Sequence, residues 1–319
     1  MTSNMIYFLF QQTLIFFIPL LVVALGDLFS ERSGVLNIAL EGIMVFGAFA
    51  GILFIRLTQD TMAPWLCLTI AILLSMAAGM LLSVLHAFAS IHLKAEQTIS
   101  STAINTFAAA FCIFYARVML GSEKIVFKNT FRIEKVPVLG DIPVIGPILF
   151  QKAYVTTYLG ILILLITAFV LYRTRLGLRL RSCGENPQAA DSVGISVYKM
   201  RYTGVLISGA LAGLGGLIFI LPTTTTYSAS VSGYGFLAMS VVVFGQWKPG
   251  GICLAALFFG ITKTIAAAYS VVPFLYSLGI PEAFFKMLPY VATLVVLAFS
   301  TKRSNAPAVA GTPYDKSKR

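Results

Sequence analysis

Few residues in this chain could do chemistry, and most lie inside apolar runs. Glu41 follows Asn37 by four positions. On a helix that spacing puts both side chains on one face. A carboxylate beside an amide can hydrogen-bond the hydroxyls of a sugar or the edge of a base. The same pair could instead brace a helix broken at Gly42, and both readings stay open. Gln97, Ser100, Ser101, Thr102 and Asn105 form a second polar group, with Ser101 and Asn105 again four apart. Polar groups inside spans are costly and face a cavity or another helix. Asn37, Glu41, Ser101 and Asn105 are therefore the expected pathway residues. Lys263 is unpaired by sequence, so it either meets Glu41 or reaches for the interface. The run Thr223–Thr226, after Pro222, is expected to end a span.

Catalytic constellations are missing from the sequence. It contains no GxxxxGK[ST] phosphate loop, and no Gly-Lys pair anywhere. ATP cannot be held here in that way. There is no HExxH, and Cys67, Cys112, Cys183 and Cys253 form no CxxC pair. His86 and His92 fall near one span end and read as interfacial. The chain is expected not to be an enzyme, with no catalytic residue, no metal and no cofactor of its own.

The elements that carry these residues are membrane spans. Of 319 residues, 58% are hydrophobic and 11% charged, against about 25% charged in soluble domains. Mean hydropathy is +0.89. Apolar runs suit helices of about 20 residues, the length that crosses a bilayer. The runs fall near 5–28, 34–55, 64–90, 97–120, 155–173, 202–221, 231–247, 250–271 and 284–300. The expected fold is an all-α polytopic membrane protein with about nine transmembrane helices (8–10), some broken. Residues 1–300 form the membrane domain and 301–319 a basic tail.

Net charge is +11, but its clustering in a few loops fits membrane topology rather than nucleic acid. Arg173, Arg175, Arg179, Arg181, Lys199 and Arg201 crowd one connection, and Lys302, Arg303, Lys316, Lys318 and Arg319 the tail. Both are expected in the cytoplasm, which puts the N-terminus outside. No Lys or Arg precedes Arg32, so the first run lacks a signal peptide's basic region and reads as a retained span. The 121–154 connection then lies outside, although it holds five basic residues. Its Pro137, Gly140, Pro143, Gly146 and Pro147 predict an ordered loop with turns. Gly47 and Gly51, and Gly209 and Gly213, form two GxxxG motifs, which let helix backbones approach closely.

Between two spans the chain reads CGENPQAADSVGIS at 183–196. Asn186 is a good N-cap, Pro187 suits the first helical position, and Gly194 suits a stop. A helix of roughly two turns results, marginal unless it packs on something. Ala189, Ala190 and Val193 are its expected buried face, with Glu185 and Asp191 facing basic groups.

Three separated stretches carry a resemblance. LGLRLRSCGENPQAADSVGIS at 176–196, followed by SGALAGLGG at 208–216, resembles the coupling region of ABC-importer permeases. ERSGVLNIALEGIM at 31–44 is similar to the signature of the simple-sugar/nucleoside permease group, and GTPYDK at 311–316 to its shorter subunit. The likeness covers nearly the whole chain. It implies an ATP-binding-cassette importer of the inner membrane, with nucleoside-like solutes as cargo and simple sugars or riboflavin as alternatives. It implies ATPase partners docked on a short cytoplasmic coupling helix within about 176–200, at Gly184, Glu185, Asn186, Pro187, Ala189, Ala190, Asp191, Val193 and Gly194. It also implies a second homologous permease and a periplasmic or lipid-anchored substrate-binding protein. The rival class is an ion-coupled secondary transporter, which would show paired acids across inverted repeats.

Overall fold

A computed structural model describes residues 3–128, 131–137, 139–143, 146–269 and 305–316, together with 281, 283–285, 287–289, 291 and 294. Among the described residues, seven helices are long and apolar enough to cross a membrane. They are α1 (Ser3–Arg32), α2 (Leu40–Thr58), α3 (Pro64–Ala87), α4 (Gln97–Leu120), α5 (Val155–Arg173), α8 (Val197–Thr223) and α10 (Pro249–Ala268). Three shorter helices accompany them: α6 (Arg175–Glu185), α7 (Pro187–Ser192) and α9 (Tyr234–Phe244). Backbone groups in lipid must be satisfied within their own segment, so these apolar runs fold as helices. The chain is a multi-pass membrane protein.

Helix α8 sits at the centre, against α1, α2 and α3. Small residues make this possible. A Cβ added to Gly47 would lie 2.3 Å from the Cα of Gly213. One added to Gly79 would lie 2.2 Å from the Gly209 carbonyl oxygen. Gly47 of the first GxxxG motif therefore meets Gly213 of the second, and α3 packs on both motifs, Ser75 at Gly51 and Gly79 at Gly209.

Two expectations change. The run 231–247 is not a full span, because α9 has only 11 residues, or about 16 Å at 1.5 Å per residue. An irregular stretch leads into it from β4 (Thr226–Tyr227), which pairs with β1 (Ile125–Val126) of the 121–154 connection. The crossing is thus completed by irregular chain plus half a helix. The run 34–55 begins as helix only at Leu40, because 33–39 is turn and irregular chain. Most of the expected span 284–300 lies outside the described residues, so the described residues do not test the count of about nine. The described residues of the 121–154 connection form turns and strands, as its turn residues predicted. Its β2 (Arg132–Lys135) pairs antiparallel with β3 (Gln151–Tyr154).

The bundle has two ends. One carries the 121–154 connection. The other carries α6 and α7, here called the elbow.

Candidate functional site

Two helices begin in the interior of the bundle, at Leu40 and Tyr234, and their first turns meet. Depth follows from their surroundings. Asn37, just before α2, donates from Nδ2 to Ser208 Oγ at 2.9 Å, near the middle of α8. At the far end of α9, Trp247 accepts from Arg32 Nη2 at 2.9 Å, where α1 ends. The Trp247 indole N–H also donates to the Glu31 carboxylate. The start of α9 is one half-helix above that end, at about mid-membrane depth.

Glu41 joins the two starts. Its Oε1 accepts from the Gly233 amide at 2.9 Å and its Oε2 from the Gly235 amide at 2.7 Å. A carboxylate at a helix N-terminus satisfies amides that lack partners and faces the positive end of the helix dipole. Asn105 of α4 does the matching work on α2. Its Oδ1 accepts from the Gly42 amide at 2.7 Å, and its Nδ2 donates to the Ile38 carbonyl at 3.0 Å. Below it, Gln97 Oε1 accepts from the Leu36 amide at 2.7 Å. The Leu36 carbonyl lies 2.9 Å from His86 Nε2. A carbonyl can only accept, so Nε2 carries the proton, and Nδ1 is left to accept from Ser100 Oγ at 3.2 Å. The break at 33–39 is held on every side.

The expected pathway residues separate. Asn37 is not on a helix, so it shares no face with Glu41. It points at α8 while Glu41 points at α9. Ser101 and Asn105 do share α4. Ser101 is fully buried with no hydrogen-bond partner for its hydroxyl among the described residues, whereas Asn105 is half-buried. Lys263 does not pair with Glu41, since its Nζ stands over the Tyr234 ring, 5.5 Å from the centroid. Three residues were missed by sequence reasoning. Ser228, Ser230 and Ser232 are exposed, alternating with buried Ala229 and Val231, on the irregular approach to α9. Ala229 and Ser232 have φ of 51° and 55°, left-handed values that cost about 1 kcal/mol or more each for such residues. The signal was present as serine at every second position before Gly233 and Gly235. It was hidden inside a run read as one span.

The elbow is the second site. The Asn186 Oδ1 accepts from the Ala189 amide at 3.0 Å, Pro187 opens α7, and Gly194 follows with φ of 84°. The capping pattern holds, though the helix is six residues and stops at Ser192. Its expected face does not hold. Ala190 is buried within the chain itself, beside Cys183, Val197 and Tyr314. That burial pushes the Cys183 thiol up. Ala189 and Val193 point outward instead, Val193 with 74% exposure. Gly184 lies against the end of α1, where an added Cβ would be 2.4 Å from the Arg32 carbonyl oxygen. Glu185 meets Arg32 at 3.4 Å, so it already has a basic partner. Pro187 is buried, Gln188 and Gly194 are exposed, and Asp191 is half-buried.

The model of branched-chain amino acid transport system permease components matches residues 9–297. The chain belongs to this family. The permease is 44% identical over 314 residues to the guanosine ABC transporter permease protein NupQ of Bacillus subtilis, covering 96% of each chain. It is 39% identical over 319 residues to the nucleoside ABC transporter permease protein NupC of Lactococcus lactis, covering 99% of each. A putative glucose ABC transporter permease protein, TsgC13 of Haloferax volcanii, is 30% identical over 312 residues, covering 91% of each. No solved structure matches. Membership displaces the ion-coupled carrier as a reading of the permease. It also gives its two sites distinct settings, one inside the bundle and one on its end.

Proposed function

We propose that the permease is the membrane subunit of an ATP-driven importer, and that its cargo is a nucleoside. Two full-length relatives with nucleoside names support the cargo. The observation that carries the reading is the mid-depth junction. Irregular backbone at membrane depth survives only where it is buried in protein or lines water. Here such backbone presents three serine hydroxyls beside two half-buried polar side chains, Glu41 and Asn105. Discontinuous helices meeting at mid-depth are a recurring way to build a transport site. These groups can exchange hydrogen bonds with ribose hydroxyls without offering a charge-specific pocket, because the Glu41 carboxylate is already engaged by two amides. Asn37 and Ser101 are inaccessible and serve as braces on this reading.

The elbow is the surface for an ATPase partner, with Ala189, Val193 and Gly194 outward. The permease carries no phosphate loop, so hydrolysis belongs to that partner. A second permease would close the pathway, and a substrate-binding protein would deliver cargo at the opposite end. The elbow's arginines favour the cytoplasm for that end, with the N-terminus outside and the C-terminus inside. Three basic residues at the opposite end sit in ion pairs: Lys128 with Asp60 at 2.6 Å, Arg117 with Glu123 at 2.7 Å, and Lys135 with Asp141.

Uptake of labelled guanosine by proteoliposomes holding the whole complex tests the reading. ATP-dependent uptake, competed by excess adenosine or cytidine but not by glucose or riboflavin, is expected. The glucose-named relative makes simple sugars the second reading. Competition by glucose, with none by nucleosides, would replace the first reading with it.

A further inference from the structure

Residues 305–316 lie on the elbow end of the bundle and touch almost every part that meets there. The Val309 amide donates to the Gly184 carbonyl at 3.1 Å, at the end of α6. The Asn305 amide donates to Gln246 Oε1 at 3.2 Å, just past α9. Asp315 pairs with Lys94 at 3.2 Å, in the turn between α3 and α4. Tyr314 is 4% exposed and shares its apolar cluster with Ala190 of α7. Gly311 has φ of 81°, and a Cβ there would lie 2.7 Å from Leu36 Cδ1. Leu36 belongs to the 33–39 connection that leads into Glu41.

Arg201 stands under this segment. It is 1% exposed, near the start of α8. Its Nη1 donates to the Thr312 carbonyl at 2.9 Å. Its Nε and Nη2 have no hydrogen-bond partner among the described residues. On its other side it reaches the 33–39 connection, where a Cβ on Gly34 would lie 3.1 Å from Nη2. A buried guanidinium with one neutral acceptor is poorly compensated. The Thr312 carbonyl is therefore a strong hold on the segment in this arrangement. Nε and Nη2 are available to other acceptors if elbow and connection shift against each other.

We propose that residues 305–316 form a strap that makes the elbow and the 33–39 connection move together, with Arg201 as its positioning residue. The inference rests on the reading of the elbow as the ATPase surface. A push on α7 reaches Tyr314 through Ala190 and Cys183. It reaches Leu36 through Gly311 and Arg201. From Leu36 the chain runs directly into Asn37 and the first turn of α2. Coupling of this kind needs a contiguous set of packed groups, which the strap supplies. This route runs beside the direct one, in which Cys183 and Gly184 of α6 lie against Gly34.

The test uses the complete complex in proteoliposomes, with three readouts: ATPase co-purification, ATP hydrolysis, and uptake. Arg201→Met keeps the packing volume and removes the donor. It is expected to keep the ATPase bound and hydrolysing within about twofold, while uptake per ATP falls about tenfold, the scale of a typical coupling energy. Arg201→Lys restores one donor and should recover much of that ratio, which a purely structural loss would not. Lys94→Ala is solvent-accessible and leaves folding alone, so it guards against misfolding; it should lower the ratio by about twofold. An unchanged uptake-to-hydrolysis ratio in Arg201→Met, or no recovery by Arg201→Lys, overturns the strap. Retention of the ATPase by Val193→Asp instead overturns the elbow reading, and the strap with it.

Discussion

The mid-depth junction and the elbow are built in opposite ways. At the junction the larger polar side chains are engaged inside the chain: Glu41 by two amides, Asn105 by the first turn of α2, and Asn37 Nδ2 by Ser208. The elbow answers its helix cap internally but leaves Ala189 and Val193 uncovered. The first site lies at membrane depth and the second on the end of the bundle. A polar group in the bilayer interior must be satisfied before any cargo arrives. An apolar group on the end of the bundle can wait.

The largest break in that contrast comes at Glu41. Glu41→Ala leaves two amides without a charged acceptor and should destabilise the protein by about 3 kcal/mol. Thermal unfolding in detergent checks this, and Glu41→Gln should lose less. Next is Ala190→Arg, which forces a large side chain into the cluster with Cys183 and Tyr314. It should cost about 2 kcal/mol or more in the isolated permease, which ordinary docking-surface residues would not do. Asn105→Ala removes the cap on α2 and should cost about 1–2 kcal/mol, read by the same unfolding assay. Val193→Asp should leave that assay unchanged and weaken ATPase binding about tenfold, or roughly 1.4 kcal/mol, measured by co-purification or surface binding. If Val193→Asp unfolds the permease, the two sites are less different than their geometry implies.

The smallest effect separates two caps that do the same work. Glu96 caps α4 by accepting from the Thr98 and Ile99 amides at 3.0 and 2.7 Å. Hydrogen bonds from Thr98, side chain first, and from the Ile99 amide hold its carboxyl below the usual carboxylate range. A depressed pKa contributes stability above the ordinary value and loses it as pH falls through the lowered one. The first turn of α4 should fray in acid, seen as faster amide exchange at Thr98 and Ile99. The Asn186 cap carries no charge, and the Ala189 amide should show no matching step.

Much of this was legible in the sequence where the physics is local. Apolar runs long enough for lipid gave seven real helices, since length and composition decide that question. Asn186, Pro187 and Gly194 fixed the ends of α7 almost to the residue, because capping involves only neighbours. The errors came from distant partners. Ala190 faces inward because Tyr314 lies against it. Asn37 and Glu41 diverge because Gln97 and His86 hold Leu36 out of a helix. The run 231–247 looked like a span because hydropathy does not distinguish a half-helix with an irregular lead-in from a full crossing. Ser228, Ser230 and Ser232 went unnoticed for the same reason.

The contact of Gly47 with Gly213 has a consequence for biogenesis. Helices α2 and α3 leave the ribosome long before α8, and their glycine and serine surfaces are shaped for a helix not yet made. A methyl group at Gly47 would already collide with the Gly213 backbone. Helices α2 and α3 can pack on each other before then, Gly51 against Ser75, but their shared glycine surface stays unfilled until α8 arrives, so the final shape of the bundle is set by its latecomer.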